Sequence, residues 1–106
     1  MSSGSVLPVP SNPVKNNHSF FVEQASTDSF VEIEFLEPPK TIPFTSRNIT
    51  ILNDGVNPVD FSFDGTNVHG KILITEKLEF PGRAETSIHI KSTGAGNPGT
   101  LRIYVW

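Results

Sequence analysis

The sequence contains no cysteine. That excludes a disulfide framework, a thiol nucleophile and a thiolate metal centre. Basic residues are scarce: eight Lys and Arg stand against eleven Asp and Glu, a net charge of −3. General nucleic-acid binding needs a basic face, so no nucleic-acid partner is expected. No apolar run approaches the length of a membrane-spanning helix, and no membrane partner is expected either. The opening residues MSSGSVLPVPSNP lack the charged and then apolar stretch of a secretion signal, so no signal peptide is read there. Helical apolar periodicity is missing apart from a few residues at 76–80, too short to matter. The sequence also lacks a G-x-S-x-G elbow, a G-x-x-x-x-G-K loop and a G-x-G-x-x-G turn. The glycine-rich run 94–99 has no helix to follow it, so it lacks the dipole that phosphate cradles use.

What remains is rich in Val, Ile, Thr and Phe, which suit a pleated, half-buried surface. Nine prolines and eight glycines punctuate the 106 residues at short intervals. The length is that of one domain. It divides into an arm, residues 1–17, and a body, residues 18–106. Pro8, Pro10 and Pro13 keep the arm out of a central strand and favour extension. Val6, Leu7, Val9 and Val14 are its apolar residues, too few for a core of its own. Two readings of the arm stand side by side: a tail, or an extended segment that docks on a neighbouring subunit. In the second, Val6, Leu7, Pro8, Val9, Pro10, Pro13 and Val14 form the interface.

From His18 the pattern has period two, the signature of strands with one wet face. A first strand is predicted near 18–24, with Phe20 and Val22 on one face. Val31, Ile33 and Phe35 then oppose Glu32 and Glu34, until the prolines at 38 and 39 stop the ladder. An irregular crossing or an edge segment follows at 42–44. Ile49 and Ile51 oppose Asn48, Thr50 and Leu52; the turn Asn53-Asp54-Gly55 comes next. Val59, Phe61 and Phe63 are expected inward, and Asp64-Gly65 marks a tight turn. Ile72 and Ile74 are expected on one inward face, and Leu78 with Phe80 form a short pair closed by Pro81-Gly82. Ile88 and Ile90 oppose Ser87, His89 and Lys91, with His89 turned toward solvent. The loop 92–99 reads as flexible by composition. The last strand sets Leu101, Ile103 and Val105 against Arg102, Tyr104 and Trp106. Seven to eight short strands with turn signals between them predict an all-β fold. The expected form is an antiparallel β-sandwich, jelly-roll or Ig-like, with an extended N-terminal arm.

Candidate chemistry is thin. Glu32 and Glu34 share a strand face with side chains about 7 Å apart, a spacing that could serve glycoside hydrolysis. No aromatic platform accompanies them, so they read as a solvated face. His18, His69 and His89 are the only histidines, and no H-x-H or H-E-x-x-H spacing occurs. A metal site, if present, would be sought first at His69 and His89. Asp60, Ser62 and Asp64-Gly65 imitate the start of a calcium loop, but Lys71 stands at its twelfth position, where the final glutamate belongs. Strand alternation explains that spacing. The expectation is therefore no enzyme: no catalytic residue, no cofactor and no metal. Charge is uneven, with a net of −4 over residues 1–37 and +1 over 38–106, so unlike faces could pair between copies.

Residues 49–106 resemble small virion structural proteins of tailed bacteriophages. The turn Asn53-Asp54-Gly55 is followed by Ser62-Phe63-Asp64-Gly65 and the step Val68-His69-Gly70. Later come the Ile88-to-Lys91 strand, a glycine-rich loop and a strand ending Ile103-Tyr104-Val105-Trp106. The resemblance implies a β-sandwich of the capsid decoration or cement type, on the capsid surface or tail of a virion and made in the host cytoplasm. The partners it implies are further copies of the chain, as trimer or dimer, and the major capsid protein. It implies no catalytic residue. The alternative is a carbohydrate- or receptor-binding module of a tail, baseplate or fibre, with a glycan as partner. Tyr104 and Trp106, on one face of the last strand, serve either reading, as a subunit seam or as a ligand platform.

Overall fold

A computed structural model of the protein describes residues 19–37 and 41–106. Arm residues Val6, Leu7, Pro8, Val9, Pro10, Pro13 and Val14, and His18, lie outside the described residues. Among those described there is no helix, and ten strands follow one another in the chain. They are β1 (Phe20–Ala25), β2 (Val31–Glu34), β3 (Leu36–Glu37), β4 (Ile42–Pro43) and β5 (Asn48–Asn53). Then come β6 (Val59–Ser62), β7 (Gly70–Ile72), β8 (Lys77–Pro81), β9 (Ser87–Ser92) and β10 (Thr100–Val105). Eight of them form two four-stranded antiparallel sheets, of order β1-β10-β5-β8 and β2-β9-β6-β7. The segment read as an irregular crossing is β4, which pairs with β3 in a small ribbon.

Alternation decides which side chains enter the core. β5, β9 and β10 each bury every second residue. Register then stacks these residues in rows. Val105 lies between Phe20 and Ile49, and Ile103 between Val22 and Ile51. In the second sheet Ile90 lies between Val31 and Phe61. The buried side chains of both sheets belong to one apolar cluster, to which Phe35 and Phe44 add rings from outside the four-stranded sheets. Ile49, Ile51, Ile72, Ile88, Ile90, Leu101 and Ile103 have no exposed surface. Each such side chain is worth roughly 1.5–3 kcal/mol of transfer free energy.

The connection from β5 to β6, like most others, passes from one sheet to the other. Asn53 fastens this passage. Its side chain is buried, its Nδ2 donates to the carbonyls of Ile72 and Asn57 at 3.0 Å each, and its Oδ1 accepts from the Gly55 amide at 2.9 Å. The turn signal at 53–55 is thus also a clamp between the sheets.

Three expectations are corrected. Ile74 does not share the inward face of Ile72: it is 46% exposed, and Leu73 beside it is exposed too. β7 ends at Ile72 because the chain there leaves its sheet for the other. The Leu73 amide donates to the Glu76 carboxylate at 2.8 Å, and the Thr75 amide to the Asn53 carbonyl at 2.9 Å. Thr75 takes a left-handed φ of 65° in this turn, an unusual state for a β-branched residue. Second, β6 is buried on both faces, Asp60 and Ser62 included. Both are hydrogen-bonded, as burial demands. Thr93 donates to Asp60 at 2.8 Å, and Ser62 donates to Asp64 at 2.8 Å. Third, the loop 92–99 is fastened. The Gly96 amide donates to Asp28, the Gly99 amide to the Ser26 hydroxyl, and Asn57 to the Pro98 carbonyl. Gly99 packs so closely that a Cβ would stand 2.6 Å from the Asn57 carbonyl oxygen and from Val59.

Candidate functional site

The outer face of the first sheet carries an aromatic cluster at one end. Strand alternation sends Tyr104 and Trp106 away from the Val105 side. Antiparallel register sets Phe21 directly opposite Tyr104. Their ring centroids are 4.8 Å apart at 37°, within the range of favourable aromatic pairs. The Tyr104 hydroxyl accepts from an Arg102 guanidinium N–H at 3.1 Å. Arg102 in turn pairs with the Asp54 carboxylate, whose hydrogen bond raises the guanidinium above its ordinary pKa. This chain of contacts orients the Tyr104 ring.

Trp106 is held by its backbone. Its N–H donates to the Asn48 carbonyl at 3.1 Å, and its carbonyl accepts from the amides of Asn48 and Arg47 at 2.8 and 2.7 Å. With the Asn48 amide turned so that its oxygen faces the indole, Trp106 Nε1–H donates to it at 3.2 Å. Trp106 is nonetheless 44% exposed as a residue, and Phe21 is 45% exposed. Large aromatic surface left in water at an ordered position is a mark of an interaction site.

A hollow of about 560 Å³ opens beside these rings. Its walls are Ser19, Phe20, Phe21, Leu36, Tyr104, Val105 and Trp106, with no Asp, Glu, Lys, Arg or His among them. Ser19 is the first described residue, two positions past the arm 1–17. A smaller hollow, about 170 Å³, lies on the other side of Trp106 against Thr50, Glu79, Phe80 and Pro81. The two residues singled out from the sequence, Tyr104 and Trp106, are therefore brought together, and Phe21, Leu36 and Ser19 join them. Alternation alone places Phe21 opposite Phe20 and Val22; only the register puts it on Tyr104.

The other candidates remain dispersed. Glu32 and Glu34 are exposed on an edge strand. His69 lies in the turn after β6. Its Nδ1 accepts from the Phe63 amide at 2.9 Å, its ring stacks on Phe63, and its Nε2 is 3.8 Å from Asp64. The expectation that His89 faces solvent is corrected: its side chain is only 18% exposed. The turn at Gly65 packs against the ring so tightly that a Cβ there would stand 2.8 Å from Nε2. Glu32 lies 3.9 Å from the same nitrogen. Among the described residues no three His, Asp or Glu side chains gather in a metal-binding group. Asp64 is a turn residue. It accepts from the amides of Asn67 and Thr66 and from the side chains of Asn67 and Ser62. The Asn67 amide contributes most to holding its pKa well below the usual carboxylate range.

Compared with known proteins, the chain matches no protein-family model, no curated protein and no solved structure.

Proposed function

We propose that this chain is a non-enzymatic structural protein of a tailed-bacteriophage virion, of the capsid decoration or cement type. It self-associates and binds the major capsid protein. The observation that carries the proposal is the ordered, exposed aromatic groove of Phe21, Tyr104 and Trp106, set where the arm joins the body. Aromatic side chains of this kind are enriched at protein interfaces. The strand order supports the finer fold assignment. Two sheets of four antiparallel strands, with most connections passing between them, fit a jelly-roll β-sandwich with the arm 1–17 attached. That architecture serves both viral capsid and lectin domains. The same groove therefore also suits the second reading, a glycan- or receptor-binding module of a tail or fibre.

An antibody to the full chain, imaged on virions by electron microscopy, tests the proposal. A regular array of label over the capsid is the expected result. Label confined to the tail, together with binding on a glycan array, moves the chain to the second reading. Virions without label refute both.

A further inference from the structure

We propose that the aromatic groove receives the proline-containing segment 6–14 of a second copy of the chain. The inference deepens the self-association put forward under Proposed function and rests on that part of it.

The groove and the segment match in chemistry. The groove is apolar, walled by the rings of Phe21, Tyr104 and Trp106 with Leu36, and none of its lining side chains carries a charge at neutral pH. Lys15 is the only charged side chain in residues 1–17, and it lies outside the segment. Proline-rich segments in the polyproline II form dock into aromatic-lined grooves because the ring constraint has already removed most of the ordering cost. That helix repeats every three residues. At this period Leu7, Pro10 and Pro13 fall on one face, which is wholly apolar. From Leu7 to Pro13 such a face extends about 19 Å, at about 3.1 Å per residue.

Position favours a second copy over the chain's own groove. Ser19, on the groove wall, is separated from the segment by residues 15–18 alone. Four residues span at most about 14 Å, a short tether for laying a segment about 25 Å long into the groove beside its own root. An arm rooted at the wall of one groove is within reach of the groove of a neighbouring copy that meets it at the same end. Because donor and acceptor lie at one end of the molecule, each copy gives one arm and takes one, and the exchange closes with point symmetry.

Trp106 is the sole tryptophan, so its fluorescence reports the groove directly. The experiment measures the mass of the full chain by sedimentation over a dilution series. Acrylamide quenching and the emission maximum of Trp106 are recorded on the same samples. The expected result is an oligomer with a shielded, blue-shifted Trp106, and on dilution mass and shielding fall together. The variant Leu7→Ser/Pro10→Ser/Pro13→Ser, whose changes precede the first described strand, should keep the parent melting temperature, lose oligomer mass and expose Trp106. Phe21→Ser should do the same from the groove side. If Trp106 is quenched equally in parent and arm variant, the groove is not the arm's seat and the inference fails. A shielded Trp106 at monomer mass also overturns it, because the occupant is then the chain's own arm. Virion labelling is independent. Capsid label with an unshielded Trp106 sinks this inference alone, and a shielded Trp106 in the oligomer without capsid label sinks the capsid assignment alone.

Discussion

Replacing Asn53 with alanine tests how the two sheets are joined. The side chain is 1% exposed and makes three hydrogen bonds, to Ile72 and Asn57 as donor and to Gly55 as acceptor. The bond to Ile72 is buried, so its loss removes a hydrogen bond from a buried carbonyl that water cannot replace, which costs about 1–3 kcal/mol. The other two are partly buried and water can replace them in part, so each is worth about 1 kcal/mol. The total expected for Asn53→Ala is about 3–5 kcal/mol. For a domain of this size each kcal/mol moves the melting temperature by about 4–8 °C, so a fall of roughly 12–40 °C is expected. Asn53→Asp separates donation from acceptance. The carboxylate can still accept from Gly55, but it cannot donate, and it faces two carbonyl oxygens. It should be at least as damaging as alanine at pH 7 and recover in part when acidified, since a protonated carboxyl can donate once. Thr50→Ala, on the outer face of the same strand, is the control and should shift stability by less than about 0.5 kcal/mol. Thermal and urea melts of the three variants provide the measurement. An Asn53→Ala protein that melts within a few degrees of the parent would show that this side chain does not clamp the sheets.

Ile72→Ala and Ile74→Ala should differ sharply: about 2–5 kcal/mol for the fully buried Ile72, and within about 0.5 kcal/mol for the exposed Ile74; equal losses in urea melts would restore Ile74 to the core. Gly65→Ala places a Cβ at a left-handed φ of 79° and against the His89 ring, and about 1–2 kcal/mol of destabilisation from the backbone alone is expected in thermal melts. Asp64 has a depressed pKa in the folded protein, so its contribution is complete above the unfolded value of about 3.9 and is lost as pH falls below it; Asp64→Asn should flatten the fall of melting temperature below about pH 4, and an unchanged acid limb would remove Asp64 from that role. Glu32→Gln and Glu34→Gln should leave melting temperature and oligomer mass unchanged, and loss of a hydrolytic activity in either variant would overturn the non-enzymatic reading.

The strands were legible because their chemistry is local. Ile49 and Ile51, Ile88 and Ile90, and Leu101, Ile103 and Val105 alternate with polar residues, and a strand turns successive side chains to opposite faces. Such a repeat determines class and core whatever the partners, and all these residues are buried as the alternation requires. What alternation cannot encode is the neighbour. The last strand's outer residues were identifiable, but the pairing of Phe21 with Tyr104 depends on register between segments some eighty residues apart. The groove beside Trp106 exists only once that register is set. Ile74 fails for the complementary reason: its place in the pattern is correct, yet the chain must leave one sheet for the other after Ile72, and the hydrogen bonds that turn it come from Asn53 and Glu76. The loop 92–99 has the composition of a loose segment, and partners at Ser26, Asp28 and Asn57 hold it in place. Single-strand periodicity thus determined the all-β class and most of the core. Long-range pairing decided which exposed side chains stand together, because a side chain's face is fixed by its own backbone and its company by someone else's.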